Sequence, residues 1–370
     1  MKKILSIVPY TFLPAKTGGQ KSIDSFYQSL SRYFSLVCIG TEDNDSNKAV
    51  GYKLLNILSA SPLRYINPFS FFIIRNIVKK EKPVYLQLEH PYLGWLAISL
   101  KKFTGTKLIV RSHNIESLRF KNLGKWWWKI LMNYEGWVHR NADFNYFISD
   151  VDRLYAIKKF NLLPQTSFTI TFGINQTAPP TEEQRRDAHA FLVIRHQLNI
   201  SDKLILFNGA FGYKPNTNAL FNLVKNIFPL LKKLTSKTYK LIVCGKDIPK
   251  ELIETNTNND IIFAGFVPDI NPYLKGTTIF VNPITEGGGI KTKLVEALGF
   301  NLNCVSFETG AIGVSKEVCG RKLFIAEDNN FEKFAEAIVQ ASTITTMIPD
   351  AFYNQFSYEK IMERIKSILN

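Results

Sequence analysis

The stretch TIFVNPITEGGGIKTKLVEA, residues 278–297, decides the fold. Thr278–Asn282 is a short apolar run of the kind that forms a buried strand, and Ile290–Gly299 has the apolar spacing of a helix. Between them lie Glu286 and three consecutive glycines, Gly287, Gly288 and Gly289. A strand that runs through glycines into a helix N-terminus is the building block of a parallel α/β sheet. Its loop presents free backbone N–H groups to an anion. Lys291 or Lys293 adds positive charge for a diphosphate, and Glu296, about two turns into the expected helix, is placed to take the hydroxyls of a ribose.

Outward from this unit the same alternation recurs. In the first half, strands are expected at Lys3–Pro9, Leu36–Gly40, Val84–Glu89, Lys107–Ser112 and Phe144–Ser149, separated by amphipathic stretches. The pattern pauses at Ala178-Pro179-Pro180 and resumes at Lys203, with a helix expected at Asn218–Lys233 and a last one at Tyr358–Leu369. At 370 residues the chain exceeds the size at which one core stops growing. Two α/β domains in tandem are expected: 1–180, 181–350, and a C-terminal helix at 351–370.

The four cysteines are scattered, with no C-x-x-C pair, which excludes a disulfide framework and suits a reducing compartment. The opening MKKILSIVPY is read as a first strand rather than a secretory signal, because Pro9 and Tyr10 interrupt the apolar run. Charge is uneven. Residues 1–180 carry 24 Lys+Arg against 11 Asp+Glu, a net of +13, and the remainder 22 against 20, a net of +2. The first half therefore expects an anionic partner, and no nucleic-acid motif is present.

Three further loops sit where strands end. Lys16-Thr17-Gly18-Gly19-Gln20 follows the first strand and lets backbone approach a phosphate or sugar through Gly18 and Gly19. Arg111 to Glu116 places His113 where it can donate to a sugar hydroxyl or to developing charge. Asn208 to Asn216 offers Lys214 to a leaving diphosphate.

Taken in order and spacing, these loops, with the Gly265 turn (AGFVPD, 264–269), resemble the retaining glycosyltransferases of family four, of the GT-B fold. The resemblance covers nearly the whole chain. It implies two Rossmann-like domains facing across a cleft, with the C-terminal helix returning to the first domain. It implies His113 as the active-site histidine near the donor sugar, Glu296 as the ribose-binding glutamate and Lys214 as a diphosphate contact. It also implies hexosyl transfer with no cofactor and no metal, from a nucleotide-diphosphate sugar to a glycan or lipid-linked acceptor. Two departures stand out: Glu286 and Glu296 are spaced E-x9-E rather than E-x7-E, which makes Glu286 the weaker candidate, and Ala210 replaces an expected arginine.

Lys121–Asn141 (KNLGKWWWKILMNYEGWVHRN) reads as one helix with Lys121, Lys125 and Lys129 beside an aromatic face. It is either a core helix with a solvated lysine face or a surface that lies on an anionic membrane. Cell-surface polysaccharide synthesis in the cytoplasm, at the inner face of the membrane, fits the second. The alternatives are a nucleotide-sugar epimerase of the same fold and a non-catalytic nucleotide-binding protein.

Overall fold

The computed structural model describes residues 1–15 and 18–370. It divides into two compact units, Met1–Gly173 with Tyr358–Asn370, and Ile174–Ser357. The chain crosses between units at 173/174 and returns at 357/358, a few residues from the boundaries read at 180 and 350.

The first unit begins with β1 (Lys3–Ile7), α1 (Gly18–Ser31), β2 (Ser35–Thr41), β3 (Lys53–Leu58) and α2 (Phe69–Glu81). It continues with β4 (Tyr85–Glu89), α3 (Gly94–Thr104), β5 (Lys107–Ser112), α4 (Glu116–Asn122) and α5 (Trp128–Asn141). β6 (Phe144–Phe147), α6 (Asp150–Phe160) and β7 (Ser167–Thr169) complete the run. The seven strands are ordered β3-β2-β1-β4-β5-β6-β7, all parallel. Their near-continuous burial, as in Leu108 to Ser112, is what a sheet covered on both faces requires.

The second unit contains α7 (Glu182–His196), β8 (Lys203–Asn208), α8 (Lys214–Asn222), α9 (Phe228–Leu234), β9 (Tyr239–Cys244) and α10 (Lys250–Glu254). Next come β10 (Ile261–Gly265), α11 (Asn271–Gly276), β11 (Ile279–Asn282), α12 (Thr292–Gly299) and β12 (Asn303–Phe307). α13 (Lys316–Cys319), β13 (Leu323–Ala326), α14 (Phe331–Ala341) and α15 (Asp350–Phe356) close it. Its six strands, also parallel, are ordered β10-β9-β8-β11-β12-β13. Both units are therefore Rossmann-like.

The last helix, α16 (Tyr358–Leu369), belongs to the first unit. Its Ile361, Met362, Ile365 and Leu369 share a core with Ile23, Phe26 and Leu30 of α1. On the opposite sheet face, Ile74 and Val78 of α2, Leu96 of α3 and Val138 of α5 form a second core.

Two expected helices are interrupted. Lys121–Asn141 is not one helix: α4 ends at Asn122 and α5 starts at Trp128. Gly124 adopts φ +69°, its N–H bonds Lys121 O, and the Lys125 N–H bonds Phe120 O, the paired capping pattern that a left-handed glycine makes. The stretch read as Asn218–Lys233 contains a π-helical segment at Leu223–Ile227 between α8 and α9. Pro229 follows at the start of α9, and its missing N–H and its ring displace the regular ladder.

Candidate functional site

In a doubly wound sheet, ligands bind beyond the strand ends where the order reverses. In the second unit that point lies between β8 and β11, so the loops after Asn208 and Asn282 are brought together. Beside it, between the ends of β8 and β9, close approach is enforced by glycine: a Cβ on Gly245, itself at φ +152°, would lie 1.8 Å from Gly209 O.

The glycine loop is shaped by its own lysine. Lys291 Nζ donates to Gly287 O at 2.9 Å, Gly288 O at 3.1 Å and Gly289 O at 3.0 Å, using all three of its protons. Gly287 and Gly289 take φ of +85° and +71°, which the curl requires and a side chain would resist. Because Lys291 folds back in extended conformation, α12 begins at Thr292 rather than near Ile290. Glu296 is then its fifth residue, just over one turn from the N-terminus rather than two. A Cβ on Gly288 would meet nothing within 4 Å, so the front of the loop is open.

Lys293 has a different task. Its ammonium donates to Asn208 O at 3.2 Å and Asn216 Oδ1 at 3.0 Å, and lies 4.4 Å over the Phe207 ring. No carboxylate neutralises it among the described residues. Burial, then the neighbouring Lys291, lowers its pKa to about 7, and burial lowers that of Lys291 to about 8. Glu286 is exposed and accepts from Asn218 Nδ2 at 2.8 Å. Lys214, the first residue of α8, is exposed and makes no ion pair among the described residues. Gly265, at φ +67°, accepts from the Gly245 N–H at 2.7 Å and so ties the ends of β9 and β10 together.

In the first unit the order reverses between β1 and β4. Gly18 and Gly19 open α1, both exposed, and a Cβ on Gly19 would meet nothing within 4 Å. Lys16 and Thr17 of that loop lie outside the described residues. The parallel register of β4 and β5 pairs Glu89 with Arg111 directly, and His113 stands two residues beyond.

Glu89 Oε2 receives Arg111 Nη1 at 3.0 Å and lies 2.6 Å from His113 Nε2. Burial works to raise the Glu89 pKa, but the Arg111 charge and the His113 hydrogen bond outweigh it and hold the carboxyl well below its usual range. Burial, then Arg111, lowers the His113 pKa to about 4, so the imidazole is neutral near pH 7. Arg111 Nη1, a group that only donates, lies 2.9 Å from the same Nε2, so the guanidinium and the carboxylate converge on one ring nitrogen.

Four neighbours escaped the sequence reading. His90 adopts φ 59°, ψ 158°, a region nearly confined to glycine, and such strain gathers at functional sites. Its ring stacks on Tyr92 and lies 4.4 Å from that of His113, with Nδ1 3.1 Å from Glu116 Oε1. Glu116 is fully buried, and although burial opposes it, His90 and the Tyr92 hydroxyl lower its pKa to about 2. The Tyr10 hydroxyl is buried without a hydrogen-bond partner among the described residues. The signal for this cluster was positional: Glu89 and His90 end the strand at which the sheet order reverses.

Residues 202–343 match the family model described as Glycosyl transferases group 1. No curated protein matches the sequence. The fold is similar to a glycosyltransferase from Rickettsia africae (TM-score 0.71, 16% identity, covering 100% of this chain and 99% of that one). It is likewise similar to Anabaena Alr3699/HepE in complex with UDP (0.73, 13%, 99% and 99%). A third likeness is to the lipopolysaccharide outer core galactosyltransferase WaaB (0.67, 10%, 99% and 99%). At these identities the likenesses establish the GT-B fold.

Proposed function

From a chain whose residues 202–343 form a glycosyl transferases group 1 domain, we propose a retaining, metal-independent hexosyltransferase. It moves a sugar from a nucleotide-diphosphate sugar to a glycan or lipid-linked acceptor, in cell-surface polysaccharide synthesis at the cytoplasmic face of the membrane. The observation that carries this reading is the lysine-clasped glycine loop ahead of α12, with the unneutralised ammonium of Lys293 behind it. N–H groups and two ammonium charges there offset the charge that builds on a departing diphosphate. Glu296 takes the ribose hydroxyls, Lys214 reaches the diphosphate from α8, and His113 orients the donor sugar. That HepE binds UDP makes UDP the first probe, and the likeness to WaaB, a lipopolysaccharide outer core galactosyltransferase, favours a glycan acceptor.

The test is melting temperature against a panel of nucleoside diphosphates. Ligand at about 100 times its dissociation constant adds ~2.7 kcal/mol, which for a unit of this size raises Tm by roughly 5–11 °C. The rise is expected for one base above the others and is lost in Glu296→Ala. No rise with any nucleotide overturns the donor site. A nucleotide sugar altered without any acceptor present makes the protein an epimerase instead.

A further inference from the structure

The outward face of α2 is built backwards for a solvated helix. Ser70, Ile74 and Val78 face the sheet, as they should, but Phe69, Phe72 and Ile73 occupy the opposite side, where polar residues belong. Leu63 and Ile66, in the turn before the helix, are exposed too, and Phe103 at the end of α3 joins Phe72 through Phe71. Leu63, Ile66, Phe69 and Phe103 keep 66, 73, 71 and 64% of their surface exposed. These are not isolated side chains: the Phe71 ring lies 5.4 Å from both Phe72 and Phe103 and connects them. A connected apolar surface of this kind marks an interaction site.

We propose that this knob docks unit 1 on an anionic lipid bilayer. Charge selects that occupant. Residues 61–82 carry five cations, Arg64, Arg75, Lys79, Lys80 and Lys82, against one acid, Glu81, which is bonded to Lys3 at 2.8 Å. The Arg75 guanidinium lies 5.9 Å over the Phe103 ring, and the exposed Lys79 and Lys80 sit in the last turn of α2. Apolar side chains on a helix that also carries cations fit a surface whose hydrocarbon lies beneath a layer of phosphate. The surplus of +13 over residues 1–180 supplies the long-range attraction.

The second exposed set lies in Leu123, Trp126 and Ile130, Trp126 being 82% exposed, beside Lys121, Lys125 and Lys129. The helix after it, α5, packs on α3 as α2 does, and the three helices cover one face of the sheet. The knob is the principal anchor because its apolar residues are more numerous and connected. Among the described residues no helix is long and apolar enough to cross a membrane, so attachment here is peripheral. The inference rests on the membrane-linked acceptor only for its purpose. Lipid binding is read without any sugar, so its failure and that of the transferase reading are distinguishable.

The experiment is flotation of the full chain with vesicles of phosphatidylcholine alone or mixed with phosphatidylglycerol, at low and high salt. The protein is expected to float with the mixed vesicles, to float much less with neutral ones, and to weaken as salt rises. Phe69→Ser with Phe72→Ser should reduce the bound fraction at least tenfold, Trp126→Ser by less, and Lys79→Glu with Lys80→Glu should mimic high salt. All variants should keep the wild-type melting temperature and far-ultraviolet circular dichroism, since the replaced side chains are exposed. Undiminished flotation of the phenylalanine variant, or no flotation at any composition, overturns the proposal. So does a concentration-dependent dimer that the phenylalanine variant abolishes, because a second copy would then cover the knob.

Discussion

Two lysines two residues apart, Lys291 and Lys293, divide the work of the glycine loop. The first gives all three protons to glycine carbonyls, and the second keeps an ammonium with no opposing carboxylate among the described residues. Because burial lowers the Lys293 pKa to about 7, its charge is lost as pH rises through that value. Affinity for whichever nucleoside diphosphate raises Tm should therefore fall between about pH 7 and pH 8, as calorimetric titration would show, and the fall should flatten in Lys293→Met. Glu135 makes the opposite kind of prediction, one of stability. Its buried carboxyl caps α4, accepting the Glu116 and Ser117 N–H groups and the Ser117 hydroxyl. Burial nonetheless raises its pKa from 4.5 to about 7. The folded protein thus holds a proton that the unfolded chain has shed, so this group costs stability as pH climbs from about 4.5 to about 7. Glu135→Gln starts lower at about pH 5 because it loses an acceptor. The gap to wild type should then narrow by up to ~3 kcal/mol by about pH 8, in urea unfolding at the two pH values. Neither shift was legible in the sequence, since both come from burial by residues distant in the chain.

At the scale of elements, most strands lie where their apolar runs put them, because a strand buried on both faces has few ways to hide in a sequence. Helices were harder to bound. The apolar spacing of 121–141 runs on past Gly124, yet a single left-handed residue ends α4 there and starts a new helix direction. Pro229 likewise carried a warning of the irregular turn before it. Packing adds constraints that spacing never shows. Gly276 ends α11 against α7, where a Cβ would lie 2.6 Å from the Ala188 carbonyl and 2.8 Å from the His189 nitrogen. Backbone cannot move aside as a flexible side chain can. Gly276→Ala should therefore cost about 1–3 kcal/mol, seen as a lower urea midpoint with unchanged slope.

For the whole molecule, the last helix is the decisive case. Tyr358, Ile361, Met362, Ile365 and Leu369 are buried in the core of the first unit, far from it in sequence. Burying each such side chain contributes about 1.5–3 kcal/mol, so the five together rival the entire stability of an ordinary domain. A chain ending at Ser357 should leave residues 1–173 open to limited proteolysis while residues 174–357 resist it. A fully protected first unit would refute this. The sequence by itself determined the alternation of strands and helices, the division into two α/β halves, and the glycine loop with Glu296 behind it, because periodicity and glycine act locally. Only the tertiary structure decided the charge of the site. Parallel register sets Glu89 against Arg111 and brings His113 to the same carboxylate across 24 residues of chain. Lys291 curls over its own loop, which shortens α12. Burial then sets which of these groups carries a proton, and burial is a property of the folded whole.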